Sequence, residues 1–216
     1  MAEREVIHGD AIPWLHAWAP RRDACFVTSL PDVSEVPALG VDAWRTWFED
    51  TAALVIERTA PSAVAVFFQS DILEGGEWID KGHLVQRAAD RAGARCLFHR
   101  IVCRRPPGTL SFGRATYAHL LGFSKSLIVE PAVARIDVLP DGGEVTWTKG
   151  MGKDTCLDVC RWARDAAHAK TVIDPFCGHG TVLAAANALG LDAIGVELSA
   201  RRVKKARALT LGTTSR

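Results

Sequence analysis

The stretch TVIDPFCGHGTVLAAANALGLDAIGVELS, residues 171–199, decides how this chain is read. Thr171 to Asp174 is a short β-branched, apolar run that stops at an acid, as a buried strand does at the edge of a sheet. A loop with Gly178 and Gly180 follows, then an alanine-rich segment from Thr181 that reads as a helix, then a second apolar run ending in Glu197. Strand, glycine loop, helix, strand and terminal acid have the layout of a nucleotide site. The glycines let the backbone approach a ligand closely, and the helix N-terminus offers free amides. An acid about 20 residues beyond the loop is placed to bind a ribose hydroxyl pair.

Around this unit, short apolar runs alternate with amphipathic segments, the pattern of an α/β fold whose mostly parallel sheet carries helices on both faces. Seven strands are expected, at 6–8, 24–29, 63–68, 95–103, 127–130, 171–174 and 193–197. Helices are expected at 11–18, 42–58, 83–92, 155–168, 181–189 and 200–209. Two longer interruptions, 104–119 and 131–153, carry the Pro, Gly and positive charge of working loops. A length of 216 residues suits one domain with a sizeable core, and 48% hydrophobic residues with seven Trp argue against disorder. The net charge of +1 excludes no partner, because an even total can conceal a basic face.

The six cysteines are scattered and read as reduced and structural. Cys156 and Cys160 can share a helix face, but no other Cys/His pair has zinc spacing, so no metal is expected. The opening MAEREVIHGD lacks the apolar core of a signal peptide, and no run approaches ~18 apolar residues. A cytoplasmic location without membrane contact is therefore expected.

Two nucleotide cofactors, or no ligand at all in a merely Gly-rich turn, would be compatible with residues 174–180. A dinucleotide brings a pyrophosphate to the loop, yet the third glycine of G-x-G-x-x-G is replaced by Leu183, and Asp174 would repel the phosphates. S-adenosylmethionine has no phosphate and carries an ammonium group, so an acid at Asp174 is useful to it.

The segment DPFCGHGT, followed by GVELS, resembles the cofactor motif of the DNA and RNA amino-methyltransferases, Asp-Pro-Phe-x-Gly-x-Gly-Thr and then Gly-x-Glu. The order of parts is similar to that of the circularly permuted class of this family, in which the catalytic motif precedes the cofactor motif. EVIHGDAIPWL resembles the Gly-Asp segment of the adenine pocket, YAHLLGFSKS the strand before the permutation junction, and GMGKDTCLDVCRWA the helix leading into the glycine loop. The resemblance implies a Rossmann-like class I methyltransferase fold, with a seven-stranded sheet in the order 3-2-1-4-5-7-6 and the 127–130 strand antiparallel. It divides the single domain 1–216 into an acceptor half (1–130), a connecting loop (131–153) and a cofactor half (154–216). It also implies an S-adenosylmethionine site made by Asp10, Thr28, Asp174, Pro175, Phe176, Cys177, Gly178, Gly180, Thr181, Glu197 and Leu198.

The family's catalytic loop is Asp, Asn or Ser, then Pro-Pro, then an aromatic that stacks on a flipped base. Here Ser29-Leu30-Pro31-Asp32 follows an apolar run, so the ring is replaced by a carboxylate. Leu30 retains a backbone carbonyl and Pro31 stiffens the turn. Asp32 is expected to accept a proton or orient an amine, although an ordinary loop with Asp32 as a cap is the simpler alternative. Carbon-5 methylation of pyrimidines is disfavoured, because Cys25 lies within a strand and Cys177 within the glycine loop.

For the substrate, Arg100, Arg104, Arg105 and Arg114, interleaved with Phe112, Tyr117 and His119, suit phosphates and unpaired bases. Lys149 and Lys153 would reach either the substrate or the cofactor carboxylate. The basic tail ARRVKKARAL reads as a solvated helix face. Permuted DNA enzymes generally carry a recognition region between the two halves, and residues 131–153 are short for that. The expectation is therefore a methyltransferase acting on structured RNA, tRNA in particular, at a nitrogen or hydroxyl, aided by a protein partner or as a homodimer. The alternatives are a DNA N6-adenine or N4-cytosine methyltransferase, and a catalytically silent subunit that binds cofactor and RNA.

Overall fold

The computed structural model describes residues 2–129, 136–147 and 149–211. Along β2 (Ala24–Thr28) and β3 (Ala65–Gln69) successive side chains point to opposite faces. Cys25, Val27, Val66 and Phe68 enter one apolar core, whereas Ala24, Phe26, Ala65 and Phe67 enter another. Both faces are buried, which is why these strands read as continuous apolar runs. The first core is closed by α4 (Lys153–Ala166), α5 (Thr181–Ala188) and α6 (Ala200–Ala208), through Val159, Trp162, Leu183 and Val203. The second is closed by α1 (Ala11–Ala17), α2 (Val41–Glu57) and α3 (Lys81–Arg91), through Leu15, Trp44, Phe48 and Val85.

The main sheet has eight strands: β1 (Arg4–His8), β10 (Asp192–Glu197), β9 (Thr171–Asp174), β2, β3, β7 (Tyr117–Ser124), β6 (Arg95–Cys103) and β8 (Val138–Leu139), in that spatial order. With the glycine-loop strand β9 counted as one, the first seven follow 3-2-1-4-5-7-6. The eighth, β8, pairs parallel with β6 and lies inside the expected connecting loop. A separate hairpin, β4 (Ile72–Glu74) and β5 (Glu77–Ile79), stands outside the sheet.

The antiparallel strand is not at 127–130. It is β7, which pairs antiparallel with both β3 and β6. Seven of its eight residues are buried; β7 lies within 117–126, the segment that resembles the family's strand before the permutation junction, and only residues 117–119 belong to the stretch expected as a loop. Residues 127–129 form no strand, and Glu130 lies outside the described residues. Leu127 and Val129 pack against the first core, while the chain is bent by the Ser126 amide donating to Pro61 O at 2.8 Å and the Leu127 amide donating to Ser124 Oγ at 3.1 Å. Their apolarity is used in packing rather than in pairing. Among the described residues no helix is long and apolar enough to cross a membrane.

The carboxyl ends of β1, β10, β9, β2 and β3 share one edge of the sheet, because these strands are mutually parallel. From β9 the chain crosses to β10 on one side, and from β2 it crosses to β3 on the other. The gap between β9 and β2 is thus the switch point where a crevice opens in this architecture.

Candidate active site

Asp174 ends β9 and Thr28 ends β2, so neighbouring strands bring them together. Thr28 Oγ1 donates to Asp174 Oδ1 at 2.7 Å, and the Phe176 amide donates to the same oxygen at 3.1 Å. Burial pushes the Asp174 carboxyl up to about 7, against the pull of these two donors.

The glycine loop beyond it is held by Glu197. Glu197 Oε2 accepts from the Gly178 amide at 3.1 Å and Oε1 from the Ser199 amide at 2.7 Å, with Arg202 Nη1 3.9 Å away. Gly178 and Gly180 have φ of +54° and +80°. A Cβ at Gly180 would lie 2.8 Å from the Ala206 backbone, so glycine is required there by close helix packing as well as by φ. Gly195 has the same packing role on β10, where a Cβ would meet Cys177 Sγ at 2.8 Å. Cys177 is therefore a packing residue whose thiol burial pushes up, and burial likewise pushes Cys25 up to about 11.

These parts line a cleft of about 300 Å³. The glycine-loop side contributes Asp174, Pro175, Phe176, Cys177, Gly178 and Thr181, and the end of β10 contributes Glu197 and Leu198. Asp10, which caps α1 by accepting from the Ile12 amide at 2.8 Å, lines it too. Opposite stand Ser29, Leu30 and Pro31. Thr28 and Gly180 lie behind the wall, both buried. A buried carboxyl, a carboxylate carrying backbone amides and a loop opened by two glycines suit a ligand with an ammonium group and a ribose, and the acid at Asp174 faces the place a pyrophosphate would take.

The Ser29–Asp32 loop is pinned from outside the cleft. Trp44 Nε1, from the buried face of α2, donates to Pro31 O at 3.1 Å. Asp32 does not line the cleft. Its carboxylate turns away and pairs with Lys81, which is 3% exposed at the start of α3. Burial lowers the Lys81 pKa, and the Asp32 carboxylate opposes that shift. The expected acid–base role of Asp32 is thereby corrected: Asp32 anchors the loop. Glu35 takes the cleft-facing position instead, with its Oε2 accepting the Asp32 amide at 3.2 Å.

Within the segment expected to connect the two halves, Thr146, Trp147, Lys149 and Gly150 lie over the cleft as a strap. Thr146 Oγ1 is 2.7 Å from Thr181 Oγ1, and Trp147 lies beside His179 (centroids 5.3 Å apart) with Arg202 over its ring at 4.8 Å. Lys149 Nζ donates to Ser34 Oγ at 2.8 Å and is 3.7 Å from Glu35 Oε2. Lys149 thus lines the cleft, as do Trp147, Trp47 and Arg202. Lys153 does not. It pairs with exposed Glu144 at 2.6 Å.

The residues expected to bind substrate separate into two groups. Tyr117 and His119 turn inward onto buried Asp71: Tyr117 OH donates to Oδ2 at 2.9 Å, and His119 Nε2 is 3.1 Å from both oxygens. The Lys81 amide donates to Asp71 Oδ1 at 3.0 Å, and His99 Nε2 is 2.9 Å from His119 Nδ1. Burial opposes charge on Asp71, but these donors outweigh it and hold the carboxyl below its ordinary range. Asp71, Asp80 and His119 are close enough to surround a cation, yet the Asp71 oxygens are already used by N–H and O–H donors. This network braces the loops. Arg100 also leaves the substrate group, pairing with Asp158 of α4 at 3.1 Å. Arg104, Arg105 and Arg114 remain at the surface, with Phe112 at 95% exposure among them. The bridge between Arg114 and Ile72 ties their loop to the β4–β5 hairpin.

Glu35, Lys81, Trp47 and Trp147 were not legible as site residues. Only Glu35 left a trace, since Asp32-Val33-Ser34-Glu35 has the spacing of a capping box.

Comparison with known proteins bears on the fold and on the glycine-loop unit. A family model described as DNA methylase, of the N6/N4 type, matches residues 167–208, which carry β9, the glycine loop, α5, β10 and α6. No curated protein sequence matches the chain significantly. Among solved structures, TTHA0409 of Thermus thermophilus, named a candidate DNA modification methylase and complexed with S-adenosyl-L-methionine, superposes with a TM-score of 0.72 at 20% identity, covering 95% of this chain and 93% of that one. The cytosine-N4-specific PvuII DNA methyltransferase gives 0.72 at 14% identity, with coverage of 98% and 88%. The M1.HpyAVI complex with S-adenosylmethionine gives 0.63 at 16%, with coverage of 94% and 97%. At these identities the likeness establishes the fold, which is that of these methyltransferases.

Proposed function

We propose that this chain is an S-adenosylmethionine-dependent methyltransferase of the permuted amino-methyltransferase type, acting on an exocyclic amine of DNA, adenine N6 or cytosine N4. The observation that carries the reading is the meeting of Ser29-Leu30-Pro31 with Asp174, Gly178 and Glu197 across one cleft at the sheet's switch point. Asp174 would hold the cofactor's ammonium, Glu197 and the glycine loop its ribose, and Asp10 the adenine side. When bound, the cofactor supplies an electrophilic methyl on a sulfonium. The protein's own work is to present the acceptor amine in line, with the Ser29 hydroxyl and the Leu30 carbonyl as hydrogen-bond acceptors on a loop pinned by Trp44 and Lys81.

DNA is favoured over the RNA suggested by the short connecting segment. TTHA0409 has nearly the same span as this chain and is named for DNA, so a chain of this size needs no larger insertion for that reading. The strap and the surface arginines at 104, 105 and 114 supply the positive contacts with phosphate.

The test is incubation with labelled S-adenosylmethionine and separate pools of unmethylated DNA, tRNA and rRNA, followed by nucleoside mass spectrometry. N6-methyladenine or N4-methylcytosine in DNA is the expected product. Label confined to RNA would restore the RNA reading, and calorimetry without S-adenosylhomocysteine binding would overturn methyl transfer altogether. Cofactor binding without transfer to any pool would leave the silent-subunit reading.

A further inference from the structure

We infer that Glu35 is the carboxylate that meets the methyl acceptor, a role its position in the fold gives it in place of Asp32. This rests on the proposed amine methylation. Two carboxylates follow Ser29 closely, and the fold gives them opposite surroundings. Asp32 is turned out of the cleft onto a lysine that is 3% exposed. Glu35 lines the cleft together with Ser29, Leu30 and Lys149. Its Oε2 is held by the Asp32 amide and faces Lys149, whereas Oε1 makes no hydrogen bond among the described residues. One oxygen is thus fixed and the other is presented. The Val33–Glu35 turn sets the backbone, and Trp44 and Lys81 anchor the residues before it.

A primary amine entering between Ser29 and a sulfonium has two N–H groups to satisfy and a lone pair to aim. Glu35 Oε1 accepts one N–H and so orients the lone pair. As the N–C bond forms, the methyl–sulfur bond breaks and its electron pair returns to sulfur. The nitrogen then carries one proton too many, which passes to Glu35 and on to water. Lys149 lies 3.7 Å from the other carboxylate oxygen, Oε2, and so helps to fix the side chain in the orientation that leaves Oε1 to the acceptor.

Three measurements on the full chain test this. Calorimetry with S-adenosylhomocysteine should give the same affinity for wild type, Glu35→Gln and Glu35→Ala, within about twofold, because Glu35 is assigned to the acceptor and not the cofactor. Transfer to DNA should fall about 100-fold or more in both variants. Glu35→Gln is the discriminating one, since its amide oxygen still caps the Asp32 amide and a purely capping role would leave it active, while Lys149→Met, which removes the ion pair alone, should keep most of the transfer activity. Saturation-transfer NMR of 2′-deoxyadenosine and 2′-deoxycytidine with the S-adenosylhomocysteine-loaded protein should show one nucleoside contacting the wild type, with the signal lost in Glu35→Ala. Full transfer activity in Glu35→Gln, loss of S-adenosylhomocysteine affinity in place of acceptor contact, or no nucleoside contact in the wild type would each overturn the assignment. A wild type that binds no cofactor would instead overturn the methyltransferase reading itself.

Discussion

At the residue scale, burial assigns roles that residue type leaves open. Asp174 and Asp32 are both acids beside a proposed reaction centre, but one is desolvated and the other ion-paired. The raised Asp174 value, about 7, has a definite sign. A proton held in the folded state more tightly than in the unfolded one stabilises fully below about pH 4, and this contribution is lost as pH rises through about 7. Asp174→Asn, which keeps an acceptor for Thr28 and the Phe176 amide, should therefore raise the thermal midpoint at pH 8 and give no gain at pH 4. Scanning calorimetry at the two pH values checks this. The Asp32–Lys81 pair should respond asymmetrically. Asp32→Ala strands an ammonium that is 3% exposed and should cost about 3 kcal/mol. Lys81→Met leaves a carboxylate that is 27% exposed and able to rehydrate, so the change should stay within about 1 kcal/mol. Urea denaturation of both variants measures the difference. A buried lysine at the start of a helix has no sequence signature, which is why Asp32 reads as a catalytic acid in sequence and becomes an anchor in three dimensions.

At the element scale, the glycine loop and its flanking strands were legible because their constraints are local: a positive φ, a helix start and an acid at a strand end. The strap was not. Residues 144–150 have no periodicity in sequence, and Thr146, Trp147 and Lys149 are placed by partners distant in sequence: Thr181, His179 and Arg202 on one side, Ser34 and Glu35 on the other. Trp147 is the cover of this element. Trp147→Ala removes the ring beside Gly178 and the cation–π contact with Arg202, itself worth ~0.5–1 kcal/mol. S-adenosylhomocysteine affinity should fall about tenfold, or ~1.4 kcal/mol, with little change in the unfolding midpoint. Titration calorimetry and a thermal melt of the same sample separate the two effects. Strand β7 teaches a related lesson. Its histidine, glycine and serine weaken the apolar signal, while LIV at 127–129 strengthens a false one. Only Gly122 lets the Phe98 ring lie over β7, since a Cβ there would sit 2.4 Å from it. That requirement comes from a facing strand and is invisible along the chain.

At the scale of the whole molecule, the two ends of the chain are interleaved. Among the described residues β1 pairs with β10, and β2 pairs with β9 and β3, so the C-terminal strands lie between N-terminal ones. A chain ended after Gly150 would leave β1 without a partner and expose the core beneath α4 to α6. It should show no cooperative thermal transition by circular dichroism, whereas the full chain should unfold in one step. By itself the sequence determined the α/β layering, the nucleotide loop and its glycines, and the Ser29–Pro31 loop at a strand end, because periodicity, backbone sterics and motif spacing act within one stretch of chain. The tertiary structure alone decided which acid faces the cleft, which strand runs antiparallel and which segment covers the site. Those depend on desolvation and on contacts between residues far apart in the chain.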